Sequence, residues 1–186
     1  MHKLNAYYPF TMSDGTVVST RNKTTRRPDG TLDMELTQGK STIIDENCLC
    51  LILMHRWSAS HIGHTWYAIT SQRRAGKHSA VLLMHRLICR DHPLIDHVNR
   101  DGLDNRSSNL RGATRVSNGY NRTKNENNTS GLKGVSPVLL AGGVVWLAQI
   151  IAEGQHHWLG HFATKEEAAK AYQDAAKKYH GEFACY

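Results

Sequence analysis

The spacing of apolar and polar residues changes several times along the chain, and each change predicts a different element. Residues 13–20, SDGTVVST, and 28–36, PDGTLDMEL, set Asp-Gly beside alternating or β-branched positions. That pattern predicts short strands joined by tight turns, and with them a small mixed α/β region over residues 1–79. The apolar run CLCLILMHRW (48–57) fits a buried helix or a strand, because periodicity cannot separate the two over so few positions. WYAITS (66–71) and HSAVLLMHRLIC (78–89) read as strands flanking a polar SQRRAGK turn (71–77). The likeness of LILMHR (51–56) to VLLMHR (81–86) is too short to argue for a repeat.

Farther along, NRTKNENNTSG (121–131) has almost no apolar content and reads as a linker, placed at 123–130. KGVSPV (133–138), VVWLAQII (144–151) and QHHWLGHF (155–162) follow as three β-type runs broken by AGG and EGQ. Thr164 with Glu167 three residues later is a capping box, and Gly181 supplies a stop. Between them Ala168, Tyr172, Ala175, Ala176 and Tyr179 share one helix face. The expected fold is therefore α+β. It has the N-terminal mixed region, a central hairpin-and-helix module over 80–122, and over 131–186 a three-stranded antiparallel sheet packed on one helix. Trp146, Trp158, Phe162 and Tyr172 fall at strand and helix-face positions and are expected in the core.

Composition narrows the possibilities. At 186 residues with 40% hydrophobic content, the chain can bury a core and is not a disordered tail. It has no run of 18 apolar residues, and its start, MHKLNAYYPFTMSDG, lacks the apolar centre of a signal peptide. A soluble cytoplasmic protein without a membrane partner is expected. Cys48, Cys50, Cys89 and Cys185 form no C-x-x-C pair and read as reduced core thiols rather than a zinc site. The net charge of +7 points to a polyanion, and its location says more than its total. Residues 70–125 hold eleven Lys or Arg against four Asp, whereas the flanks nearly cancel.

That basic middle contains DHVNRDGLDNRSSNLR (96–111), with three Asp, three Asn, three Arg and one His. Strand alternation after Pro93-Leu94-Ile95 would put Asp96 and His97 on opposite faces unless a turn re-aims them, and residues 99–102 supply a turn. A hairpin apex is expected there, with Asn105 and Asn109 tying down loop backbone. Thr114 can cap a short helix reaching about Asn121 and carrying Asn118. A hard divalent cation such as Mg²⁺ needs only one or two protein oxygens when a phosphate supplies the rest, and Asp96 with Asn118 would meet that need. A neutral His97 could take a proton from water, so metal and base together would suit phosphodiester hydrolysis. Arg100, Arg106, Arg111, Arg115 and Arg122 would hold the nucleic-acid backbone.

At these residues the chain resembles a known family. MHRLI (84–88), DHVNRDGLDNRSSNLR and ATRVSNGYNR (113–122) look like the HNH endonucleases of the phage and group I intron homing type. The family's three letters fall on His97, Asn109 and Asn118, with the extra acidic ligand at Asp96. The resemblance implies a ββα-metal module with His97 as general base, Asp96 and Asn118 as ligands of one Mg²⁺ or Mn²⁺, and Asn109 bracing the loop. Asn105 and His85 are expected as supporting residues, His85 on an apolar strand. IIDEN (43–47) with WYA (66–68) resembles the segment that precedes such modules. NNTSGLKGVS, WLAQI (146–150), LGHF and TKEEAAKAYQDAAKKYHGEF resemble the Apetala-two, or ethylene-response-factor, DNA-binding domain. That likeness implies major-groove binding by the sheet. Pro137, Val138, Leu139, Leu140, Val145 and Leu147 stand where relatives carry cations, so binding should be weak, with Lys133, Gln149, Gln155, His156 and His157 as contacts.

The combined expectation is a metal-dependent DNA endonuclease of phage or mobile-element type that nicks or cuts double-stranded DNA at a preferred site. The rival is a non-cleaving, sequence-specific DNA-binding regulator on the same scaffold, and a third reading is an interaction module with a generic basic surface. His55, His61 and His64 are read as scattered histidines rather than a metal cluster, and Lys165 to Lys178 as a solvated helix face.

Overall fold

The computed structural model describes residues 7–74 and 77–186. Residues 1–6 of the N-terminal stretch, and residues 75 and 76 in the expected SQRRAGK turn, lie outside them. Helices and several small antiparallel sheets make this an α+β protein, in two compact units, Met1–Gly112 and Ala113–Tyr186.

The first unit begins with the two expected Asp-Gly hairpin regions. Strands β1 (Tyr8–Thr11) and β2 (Val17–Thr20) pair antiparallel, and β3 (Thr24–Arg26), β4 (Leu32–Glu35) and β5 (Ser41–Ile44) form a three-stranded sheet. The ambiguous CLCLILMHRW run forms one short helix, α1 (Leu49–Ile52), after a 3-10 turn. Leu49, Ile52 and Trp57 are buried there, whereas Met54 between them is exposed, so the run is one-sided. Strands β6 (Ser58–Ile62), β7 (Thr65–Arg74) and β8 (Lys77–Leu83) form a second three-stranded sheet.

MHRLI departs from expectation, because it is not the end of a strand but helix α2 (Met84–Ile88). Leu83 is still extended, and the turn into helix at Met84 buries both Met84 and His85. Local periodicity could not register this, because it is the core of Leu32, Met34, Ile44, Leu49, Ile52 and Trp57 that receives Met84. The amide of Asn22 staples three segments of the unit, donating to Glu35 O and Trp57 O and accepting from Trp57 N at 2.8 Å. Strands β9 (Ile95–His97) and β10 (Leu110–Gly112) close the unit as a two-stranded hairpin.

The second unit opens with α3 (Arg115–Tyr120), capped by Thr114 in a box with Ser117. Strands β11 (Val135–Leu140), β12 (Gly143–Ala152) and β13 (Gln155–Phe162) form a meander, and α4 (Lys165–His180) starts with the expected Thr164/Glu167 box. Ala148, Ile150, Ala168, Tyr172, Ala175 and Ala176 are buried between sheet and helix. Tyr179 is half-exposed rather than buried, stacking on His157 at 4.8 Å. Trp158, expected in the core, is 68% exposed. The register shift at Ala148/Gln149 pairs Trp158 with Gln149, which also faces away from the helix. Of the four cysteines, Cys48 and Cys185 are buried as expected, whereas Cys89 is half-buried and Cys50 exposed on α1; all four are thiols. Among the described residues no helix is long and apolar enough to cross a membrane.

One surface ion pair ties the first unit's early elements together. Glu46 accepts from the Arg26 guanidinium on β3 and from Ser13 N in the β1–β2 turn at 2.8 Å. Arg26 first, then Ser13, pushes the Glu46 carboxyl down to about 2 from an ordinary 4.5. A depressed folded-state pKa means stability that is present above pH 4.5 and lost as the pH falls towards 2. The stability difference between the native chain and Glu46→Gln should therefore shrink across that window in urea unfolding followed by tryptophan fluorescence. A difference independent of pH would contradict the assignment.

Candidate active site

The hairpin β9–β10 positions the candidate residues. Its register sets His97 opposite Leu110 and Asp96 opposite Arg111. The chain turns at 97–100, with Arg100 at φ +67° and its N–H on His97 O at 2.9 Å, and again at 101–104, where Asp104 N donates to Asp101 O at 3.1 Å, so the apex expected at 99–102 is divided between two turns. The partner strand nevertheless begins only at Leu110, because side-chain bonds hold a wider loop open. Asn99 Oδ1 accepts from Asp101 N and Asp101 Oδ1 from Leu103 N, both at 2.9 Å. Asn109 spans the loop, donating to Asn99 Oδ1 at 2.9 Å and Asp104 O at 2.8 Å and accepting from Asn99 N at 3.0 Å. The loop is also fixed to β5, where Ile43 N donates to Leu103 O at 2.9 Å and Asn105 N donates to Ile43 O at 2.8 Å.

Asp96 and His97 are both buried, and their partners differ. Asp96 Oδ2 accepts from Arg111 Nε at 3.0 Å and Nη2 at 2.7 Å, a cross-strand ion pair with both side chains largely enclosed. His97 Nε2 lies 3.3 Å from Asn105 Oδ1, and Asn105 in turn donates from Nδ2 to Thr42 Oγ1 at 2.8 Å. The His97 ring meets that of His85 edge-on at 4.9 Å, and Tyr67 touches both, at 5.8 Å and 5.6 Å. Burial lowers the His97 pKa, outweighing the opposite pull of Asn105 and of Asp96. Burial, then His97 and Arg86, takes His85 down to about 3. Both imidazoles are therefore neutral at physiological pH, and His85, held at about 3, is much the poorer proton acceptor.

The other expected residues divide. Arg100, Arg115 and Arg122 are exposed, as phosphate contacts require. Arg106 instead forks onto Asp104, at 2.7 Å and 2.6 Å, and Arg111 onto Asp96, so these two cations brace acids of their own hairpin. Asn118 is half-buried on α3, in the second unit. Lys133 Nζ binds Tyr120 O at 2.7 Å and Arg122 O at 2.6 Å, bracing the segment after α3. Gln149, Gln155 and His156 are exposed, and His157 is half-buried against Tyr179. His55 packs on Trp57 and His61 on Trp66, separate contacts that join in no cluster. Thr42 and Tyr67 escaped the sequence reading, since neither lies in the Asp/Asn/Arg-rich stretch; a fully buried threonine in an apolar strand carries no local signal.

The donor set tests what ion could be held. Among the described residues no group of three His, Cys, Asp or Glu could hold a metal. One carboxylate beside neutral imidazoles does not make a closed zinc-type site. It fits a hard divalent cation that takes most of its oxygens from water and substrate phosphate.

Comparison with known proteins gives one relative and two blanks. The chain is 32% identical over 90 residues to an uncharacterized HNH endonuclease of Acanthamoeba polyphaga mimivirus, a match covering 48% of this chain and 44% of that protein. It therefore spans less than half the length of that relative. No family model matches, and no solved structure matches. The likeness supports a nuclease function in general terms.

The buried Asp96–Arg111 pair is directly testable. Arg111→Met strands a carboxylate without its cation and should cost about 3 kcal/mol of stability, as such one-sided losses do. Adding Asp96→Asn should recover most of it. Urea midpoints measure both, and an unchanged midpoint for Arg111→Met would show the pair to be dispensable.

Proposed function

We propose that the chain is a metal-dependent endonuclease that hydrolyses phosphodiester bonds of double-stranded DNA at a preferred site, of the kind carried by phages or mobile elements. The observation that carries this reading is a buried, neutral His97 next in the chain to the buried Asp96 on a braced hairpin. The name borne by the mimiviral relative points the same way.

In this reading His97 takes a proton from water as the water oxygen attacks phosphorus. The P–O bond to the leaving sugar oxygen breaks, and that oxygen is protonated from solvent. Asp96 would hold Mg²⁺ or Mn²⁺, with water and substrate phosphate supplying the remaining oxygens. Such an ion, when bound, stabilises charge on the phosphate and leaving oxygens. Asn109 holds the loop that carries the base, and His85 and Tyr67 pack its ring. Arg100, Arg115 and Arg122 contact phosphates, whereas Arg106 and Arg111 act indirectly by fixing Asp104 and Asp96. The exposed sheet face of the second unit, with Leu147, Ile151 and Trp158, offers few cations, so its share of DNA affinity should be small. Gln149, Gln155 and His156 are its proposed contacts, whereas Lys133 braces the segment after α3 through the carbonyls of Tyr120 and Arg122.

A supercoiled-plasmid assay tests the reading. Nicking should need Mg²⁺ or Mn²⁺, stop in EDTA, and fall by at least about 100-fold in His97→Ala, the low end of what a positioned base supplies. Undiminished nicking by His97→Ala would refute the base. Tight DNA binding without cleavage by the native chain would favour a non-cleaving regulator.

A further inference from the structure

We infer that Thr42 and Asn105 form a relay that fixes the tautomer of His97, which makes both of them positioning residues for the proposed base; the inference rests on that reading. The direction of each bond follows from which atoms can donate. Thr42 Oγ1 lies 2.7 Å from the carbonyl oxygen of Leu103. A carbonyl only accepts, so the hydroxyl proton is committed there. The Met84 sulfur, 3.9 Å away, is a much weaker alternative and leaves the hydroxyl a donor all the same.

With its proton spent, Thr42 Oγ1 can only accept from the Asn105 amide 2.8 Å away. The Asn105 atom facing it must be Nδ2, and the opposite amide orientation would set two acceptors against each other. Asn105 Oδ1 is thereby turned to His97 Nε2 at 3.3 Å. An amide oxygen cannot donate, so Nε2 carries the ring proton. In a neutral ring Nδ1 is then the basic nitrogen.

Burial makes the relay selective. Thr42 and Asn105 are fully buried and His97 is 5% exposed, so solvent is poorly placed to replace a lost partner. Thr42 and Asn105 are both anchored by β5, which contributes Thr42 itself and, from the next residue, the carbonyl that accepts from Asn105 N. A base with the other tautomer would present N–H where a lone pair is needed, as happens when a histidine's orienting partner is lost.

Long-range ¹H–¹⁵N correlation spectra of the full chain, recorded with His97 neutral, read the tautomer directly. The native protein should show His97 with Nε2–H. Thr42→Val, nearly isosteric but unable to accept, should give a mixed tautomer and about tenfold slower single-turnover cleavage with unchanged DNA binding, a part of the 10²–10⁴ that a base supplies. Thr42→Ser should restore both. Nδ1–H in the native spectrum overturns the relay, and so does a valine variant with native tautomer and native rate. If the valine variant does not fold, the native spectrum alone decides. If the native chain shows Nε2–H and cleaves nothing, the relay stands and the nuclease reading falls.

Discussion

Two main-chain hydrogen bonds, one to each side of Ile43, govern the candidate site. Through them β5 accepts the closing loop of the β9–β10 hairpin as an added segment, with Ile43 bridging Asp104 in parallel. Because Leu103 O receives Ile43 N, it also stands where Thr42 can donate to it; because Asn105 N is held by Ile43 O, its side chain reaches His97. Loop backbone cannot be buried unpaired without cost, and the strand edge satisfies it. The two residues just C-terminal to Ile43 continue the anchoring. Ile44 enters the core, and Asp45 accepts from Ser107 N at 2.7 Å.

Charge in this region is organised in two tiers. The inner tier pairs Asp96 with Arg111 and Asp104 with Arg106, so that buried carboxylates have cations and loop geometry is fixed. The outer tier, Arg100, Arg115 and Arg122, is exposed. The excess positive charge of residues 70–125 is therefore not uniformly a surface for a polyanion, since two of its arginines are spent on structure.

Legibility in the sequence followed the range of the interaction. The α4 cap, the three C-terminal strands and the Asp-Gly turns depend on residues within a few positions of one another, and Thr164, Glu167 and the DG pairs announce them. That the chain turns after β9 was readable for the same reason, but the division into two turns and the width of the loop were not, because Asn109 sets the loop from across it. MHRLI became a helix through packing against a core drawn from five distant elements. Trp158 faced outward because a bulge moved the strand parity by one position, and the sign of it in QHHWLGHF is a single glycine, Gly160, at φ +126°. Thr42 is the clearest loss. It lies more than fifty residues before His97, and only the folded β5 edge brings it within reach.

Pro137 lies in β11, one of the two edge strands of the second unit's sheet, directly opposite Trp146. An edge strand ordinarily offers a row of N–H groups that an unrelated strand can extend, and here that row has a gap where the proline ring replaces the donor. The same sheet exposes Leu139, Val144, Ile151 and Trp158, side chains that would favour such growth in a crowded solution. One imino acid thus interrupts strand addition along the β11 edge of this apolar sheet.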